Sequence, residues 1–172
     1  LAGWDGKSNF IDPMCGSGTF LIEAALIALN IPPCIYRQSF AFEKWTDFDK
    51  ELFEELYNDD SLERPFEFKI MGADVSPRAV KIAQENIKAA GLHKYITVEQ
   101  RSISDWEPQV ETGLIVTNPP YGERLLSDDL FGLYAQLGET LKHKFTGSTA
   151  WVISSHVDCL QRVGLRPSAK VK

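Results

Sequence analysis

Asn118-Pro119-Pro120-Tyr121-Gly122-Glu123-Arg124 sets an amide, two prolines and an aromatic ring in succession. Consecutive prolines stiffen the backbone and donate no N–H, so the Pro119 carbonyl can stand as a bare acceptor beside the Asn118 side-chain oxygen. Two acceptors side by side match one planar NH2 group. Tyr121 offers a flat face on which a base can lie, and such stacking is worth about 1–3 kcal/mol. The amine of a base is a poor nucleophile because its lone pair is delocalised into the ring. Holding both hydrogens toward acceptors favours the pyramidal, electron-rich nitrogen formed on the way to a transition state. These residue types in this order suit attack by an exocyclic amine on an electrophilic carbon.

A second stretch, Asn9 to Phe20 (NFIDPMCGSGTF), carries an apolar run, an acid, a glycine turn and the start of a helix. Gly16 and Gly18 allow close backbone approach to a ligand where a Cβ would block it. The dinucleotide fingerprint would need its third glycine at Leu21, and Asp12 sets a negative charge where a pyrophosphate would sit. A cofactor that is cationic there tolerates the acid, and a sulfonium methyl donor meets that condition. In-line attack on its methyl needs mainly positioning.

The elements that must hold these stretches alternate. Strands are expected at about Ser8 to Asp12, Lys69 to Asp74, Tyr95 to Gln100, Gly113 to Asn118 and Thr149 to Ser154. Helices are expected from Phe20 to Leu29 after an opening turn at Gly16 to Thr19, from Pro77 to Ala90 behind a Ser76 cap, and from about Asp128 to Phe145. The pattern predicts an α/β fold, a doubly wound, mostly parallel sheet with helices on both faces. In such a sheet ligands bind beyond the carboxyl ends of the strands, so Asp12, Asp74 and Asn118 are expected in one crevice. Asp74 is placed to accept from ribose hydroxyls, and Ser76, a competent cap, argues against a mere turn-forming role. The first helix is apolar nearly all round, which calls for cover on its outer side. Residues 31–68, crowded with aromatics, are read as that cover, with a short helix from Asp47 carrying Phe48, Leu52, Phe53 and Leu56 at helical spacing.

With 172 residues and 44% hydrophobic content the chain suffices for one domain with a sizeable core. Cys15, Cys34 and Cys159 are scattered and form no Cys-x-x-Cys pair, and the three histidines do not cluster, so neither a disulfide framework nor a metal site is expected. No apolar stretch is long enough to span a bilayer and no leader opens the chain, so a cytoplasmic protein is expected. A net charge of −6 argues against a free-standing nucleic-acid binder, though not against a catalytic domain delivered by a basic neighbour.

Asp12-Pro13-Met14-Cys15-Gly16-Ser17-Gly18-Thr19 together with Asn118-Pro119-Pro120-Tyr121-Gly122 resembles the class I S-adenosylmethionine-dependent methyltransferases of exocyclic amines. Arg37 to Trp45 (RQSFAFEKW) and Gly122-Glu123-Arg124-Leu125 resemble, more narrowly, the bacterial guanine-N2 methyltransferases of large-subunit ribosomal RNA. The resemblance implies the Rossmann-like methyltransferase fold over residues 1–172, S-adenosylmethionine as cofactor and S-adenosylhomocysteine as product. It implies RNA, above all large-subunit ribosomal RNA, as partner. Asp12, Pro13, Cys15, Gly16, Gly18 and Thr19 would then line the methionine end, Asp74 and Val75 the ribose and adenine, and Asn118, Pro119, Pro120 and Tyr121 the target guanine. Asn118 would also border the cofactor. Relatives often bind the adenine amino group with an acid after the third strand; here Ser102 holds that register, followed by Ile103, with Asp105 three residues on. The resemblance further implies an upstream RNA-binding THUMP domain and a last strand pair beyond this stretch. Relatives sharing the Asn-Pro-Pro-Tyr loop methylate transfer RNA guanosine, DNA adenine or a protein glutamine amide. A non-enzymatic, cofactor-dependent RNA-binding module would show a decayed loop, and none is visible.

Overall fold

The computed structural model describes residues 1–107, 110, 112–120 and 127–171. Five strands, β1 (Asn9–Asp12), β2 (Ile70–Asp74), β3 (Ile96–Gln100), β4 (Gly113–Thr117) and β5 (Thr149–Val152), form one all-parallel sheet in the order β3-β2-β1-β4-β5. β1 and β4 are neighbours, and the chain leaves them in opposite directions across the sheet. That reversal of strand order opens a crevice at their carboxyl ends.

Alternation along the strands divides the core between two faces. Phe10, Ile70, Ile96 and Leu114 point to one side, against α1 (Thr19–Leu29) and α3 (Pro77–Ala89). Ile11, Met71 and Ile115 point to the other, against Leu137, Leu141 and Phe145 near the end of the structure's longest described helix, α4 (Ser127–Lys144). Buried Ile103 and Trp106 join this second face from the segment after β3. α3 begins as its sequence demands, with Pro77 in the first turn and the Ser76 hydroxyl accepting from the Ala79 N–H. A short helix not foreseen in the sequence, α5 (Val157–Arg162), packs on α4 through the fully buried Cys159.

The insert departs from expectation. Its helix, α2 (Lys50–Tyr57), starts three residues later than Asp47, with Asp49 as the cap that accepts from the Leu52 N–H. Leu52 and Leu56 are 50% and 62% exposed, because Phe53 and Tyr57 take the inward positions on this helix. Phe53 touches the rings of Phe40, Phe42, Phe48 and Tyr57, a cluster that packs on itself. The insert covers α1 through its ends, Ile31 and Phe66, joined by Trp4 from before β1. Arg64 closes the end of that helix: its guanidinium donates to the carbonyls of Ala28, Ile27 and Asp5, and its own N–H to Leu29. The carbonyls of Ile27, Ala28 and Leu29 lie in the last turn of α1, where a cation is electrostatically favoured. Tyr36 makes the second tether, donating to the Ala90 carbonyl at the end of α3. Both tethers sit at the amino edge of the sheet, away from the crevice.

Among the described residues no helix is long and apolar enough to cross a membrane.

Candidate functional site

β1 ends in Asp12, Pro13 follows it, both are buried, and the chain turns back over β2. Cys15 N–H donates to the Ala73 carbonyl at 2.8 Å, and Gly18 N–H to the Cys15 carbonyl at 2.8 Å, which fixes a tight loop leading into α1. Gly18 has a φ of +82°, and a Cβ there would meet Ala83 of α3 at 3.2 Å, so both conformation and space require glycine. Gly16 has a φ of +53°, yet nothing lies within 4 Å of where its Cβ would be. The turn therefore offers an open backbone face at Gly16. Below it Gly72 leaves room for the turn to sit down: a Cβ there would come within 2.4 Å of Leu21 and 3.2 Å of Cys15. The Cys15 side chain packs into the core under the turn. Burial first, then the nearby carboxylates of Asp12 and Asp74, push its thiol up to about 12, so it is not a nucleophile at neutral pH. Thr19 opens α1 and is exposed, its hydroxyl 3.1 Å from that of Ser17.

Asp74 ends β2 and clasps the two turns together. One carboxylate oxygen accepts from Gly16 N–H at 3.0 Å, the other from Ser76 N–H at 2.9 Å. The expectation that Ser76 would relieve Asp74 of a turn-forming role is thereby corrected: Ser76 caps α3 with its hydroxyl while its N–H still needs Asp74. Each carboxylate oxygen keeps a second lone pair, so the group can still accept from a ligand. Val75 follows and is 69% exposed.

Asp12 does not carry the full negative charge that its residue type suggests. Burial raises its carboxyl to about 7, with Asp74 adding to the rise, against the opposing pull of the Met14 N–H and the Thr117 hydroxyl. Met14 N–H lies 3.2 Å from its Oδ1. The Thr117 hydroxyl stands near enough to act on it, but its fully buried oxygen is met by no described partner at hydrogen-bond geometry.

Asn118 follows the last residue of β4, in the strand beside β1, and is exposed; Pro119 is fully buried and Pro120 exposed. The buried Tyr134 of α4 supports the segment from beneath. Its hydroxyl is 2.8 Å from Ser154 Oγ, just past β5, and 3.5 Å from the Pro120 carbonyl oxygen. Tyr121, and with it Gly122 to Leu125, lies outside the described residues. After β3, Ser102 and Ser104 share a hydrogen bond of 2.9 Å, Asp105 accepts from Ser104, and Ile103 turns its side chain into the core. Ile103 can therefore meet a ligand only through its backbone.

The fold brings Asp12, Gly16, Asp74, Val75, Ser102 and Asn118 to one edge of the sheet. Sequence reasoning missed Thr117, Tyr134 and Ser154. Only Thr117 left a signal, a hydroxyl closing a strand that is otherwise continuously apolar. A hollow of about 320 Å3 on the α3 side of β3, lined by Ile87, Lys88, His93 and Ile96 among others, contains none of these groups. Among the described residues no cluster of His, Cys, Asp and Glu could hold a metal ion.

Comparison with known proteins adds three findings. The family described as UPF0020, RMKL-like, methyltransferase domain, matches residues 1–172. Ribosomal RNA large subunit methyltransferase K/L of Vibrio campbellii is 38% identical over 178 residues, covering 99% of this chain and 25% of that protein. Two solved structures superpose with a TM-score of 0.86 at 34% identity. SMU.472 complexed with SAH covers 97% of this chain and 45% of its own, and a Listeria monocytogenes protein described as a predicted N6-adenine-specific DNA methylase covers 99% and 45%. The chain thus spans less than half the length of these relatives.

Proposed function

Because the chain belongs to the UPF0020, RMKL-like methyltransferase domain family, we propose that it transfers a methyl group from S-adenosylmethionine to the exocyclic N2 amine of a guanine in large-subunit ribosomal RNA. The observation that carries the reading is the adjacency of β1 and β4: the open turn at Gly16 and the Asn-Pro-Pro segment leave neighbouring strands at the same edge. S-adenosylmethionine supplies an electrophilic methyl group on a sulfonium.

The residues present fit that donor. Gly16 leaves the space a side chain would fill, Asp74 keeps lone pairs for the ribose hydroxyls, and Val75 exposes an apolar surface for the adenine. Asp12, Pro13, Cys15, Gly18 and Thr19 shape the turn that would hold the methionine end, with Ser102 and the Ile103 backbone at the adenine. In-line transfer of the methyl group asks mostly for alignment. Asn118 and Pro119 would accept from the two amine hydrogens, and Tyr134 would hold the Pro120 carbonyl so that these acceptors do not swing away. The name of the Vibrio campbellii relative supports ribosomal RNA as substrate.

The test is mass spectrometry of large-subunit ribosomal RNA from cells with and without the gene, joined to a methylation assay that offers ribosomal RNA, transfer RNA, DNA and protein. Loss of one N2-methylguanine from the ribosomal RNA is expected. Labelling of DNA, transfer RNA or protein alone would overturn the substrate assignment.

A further inference from the structure

The net charge of −6 is unevenly spread. Residues 31–68 hold ten Asp and Glu against four Lys and Arg, whereas residues 155–172 hold four Lys and Arg against Asp158 alone. Asp12 and Asp74 suit the crevice to a cationic donor, but two acids there repel a phosphate backbone. An RNA substrate therefore needs a cation at the rim, and the segment after β5 supplies one. α4 joins the carboxyl end of β4 to the amino end of the parallel β5, so its first turns stand at the crevice edge. Phe131 lies three residues before Tyr134, about 4.5 Å nearer that edge. The Arg162 guanidinium reaches over from the last turn of α5 and sits above the Phe131 ring, 4.8 Å from its centre. Packing holds α5 there: Cys159 is fully buried against α4, and a Cβ on Gly138 would come within 1.8 Å of the Val163 carbonyl oxygen. Asp158, one turn earlier on α5, is the ordinary kind of partner for such an arginine. Among the described residues, however, Arg162 is in no ion pair. A cation held by the face of a ring keeps its N–H donors, and a guanidinium presents them as a planar fork that matches two phosphate oxygens.

We propose that Arg162, held on the Phe131 ring, binds a backbone phosphate of the RNA close to the target nucleotide. Phe131 and Tyr134 are neighbours on one side of α4. Tyr134 steadies the Asn-Pro-Pro segment through the Pro120 carbonyl, and Phe131 steadies the cation. One rigid helix thereby sets both the acceptors for the base and the contact for its backbone, which fixes the register of the strand that enters. The acidic insert, tethered at the opposite edge of the sheet, repels the same strand and leaves the α4 and α5 rim as its approach.

The inference rests on the reading of the chain as an RNA methyltransferase. It is tested with the full-length protein and large-subunit ribosomal RNA from cells lacking the gene, by methylation kinetics and by RNA binding over a series of salt concentrations. Arg162→Gln keeps the aliphatic stem over the ring and removes the charge. It should raise the KM for RNA about tenfold while kcat at saturating RNA stays within about twofold, the pattern of a contact made equally in ground and transition states. The slope of log affinity against log salt should fall by about one, as loss of one phosphate contact requires. Arg162→Lys keeps a charge without the fork, so it should restore the salt slope and recover the KM only in part. Donor affinity and melting temperature should match the parent in both variants. A KM and salt slope unchanged by Arg162→Gln would overturn the proposal and leave the methyltransferase reading standing. A higher KM accompanied by lost donor affinity and a lowered melting temperature would overturn it too, since Arg162 would then serve packing alone. A parent protein that methylates no RNA would overturn both.

Discussion

Asp12→Asn should make the empty protein more stable in alkaline solution and leave it little changed in acid. The folded state raises the carboxyl from 3.8 to about 7, a shift of about 3 units at about 1.4 kcal/mol each. Between those two values the folded chain binds the proton and the unfolded chain does not. Stability from this group is therefore greatest below pH 4, falls as the pH climbs toward 7, and is flat beyond it. An amide mimics the neutral carboxyl, keeps an oxygen for the Met14 N–H and never ionises. From pH 5 to pH 8 the gap between variant and parent should widen in the variant's favour by about 2–3 kcal/mol. Urea unfolding of both proteins at the two pH values, read as the difference of extrapolated free energies, is the assay. A gap that stays constant, or widens toward acid, would refute the assignment of a neutral, desolvated carboxyl. The same substitution should lower affinity for the donor, so stability would be gained where function is lost.

Three further outcomes are expected. Asn118→Ala should cut turnover at least about a hundredfold while donor affinity stays within about threefold, as loss of a contact made in the transition state requires; methylation kinetics beside donor calorimetry check it. Gly72→Ala forces a methyl group against Leu21 and Cys15; overpacking of this kind costs about 1–3 kcal/mol, and because the pressure falls on the turn itself, donor affinity should drop with thermal stability. Arg64→Met removes the cap from the end of α1 at the far edge of the sheet; it should lower stability by about 1–2 kcal/mol and leave the donor dissociation constant unchanged.

The alternating pattern was legible because each periodic run ends in residues that leave little choice. Gly16-Ser17-Gly18 bends into α1, Ser76-Pro77 opens α3, and Gly91, with a φ of +68°, follows its end. The crevice followed from topology, since acids and an amide at strand carboxyl ends converge wherever strand order reverses. What sequence did not disclose is tertiary in origin. Nothing local distinguishes an aromatic run that packs on its own members from one that covers a helix, so the sequence did not show that the insert reaches α1 through its ends, at Ile31, Arg64 and Phe66, while its central rings pack on one another. Nor does residue type say that Asp12 is desolvated to near neutrality or that Asp74 spends lone pairs on two turns. Tyr134 and Ser154 lie 14 residues and more beyond the segment they support, and only the docking of α4 beneath the sheet brings them there.

The tethering of the insert at the amino edge sets its anchors a fixed distance from the crevice. β2 is five residues long, which at about 3.3 Å per residue separates the two edges by about 16 Å. A change in the tethers at Arg64 and Tyr36 therefore acts on how α1 and α3 are closed off, with the whole depth of the sheet between it and Asn118.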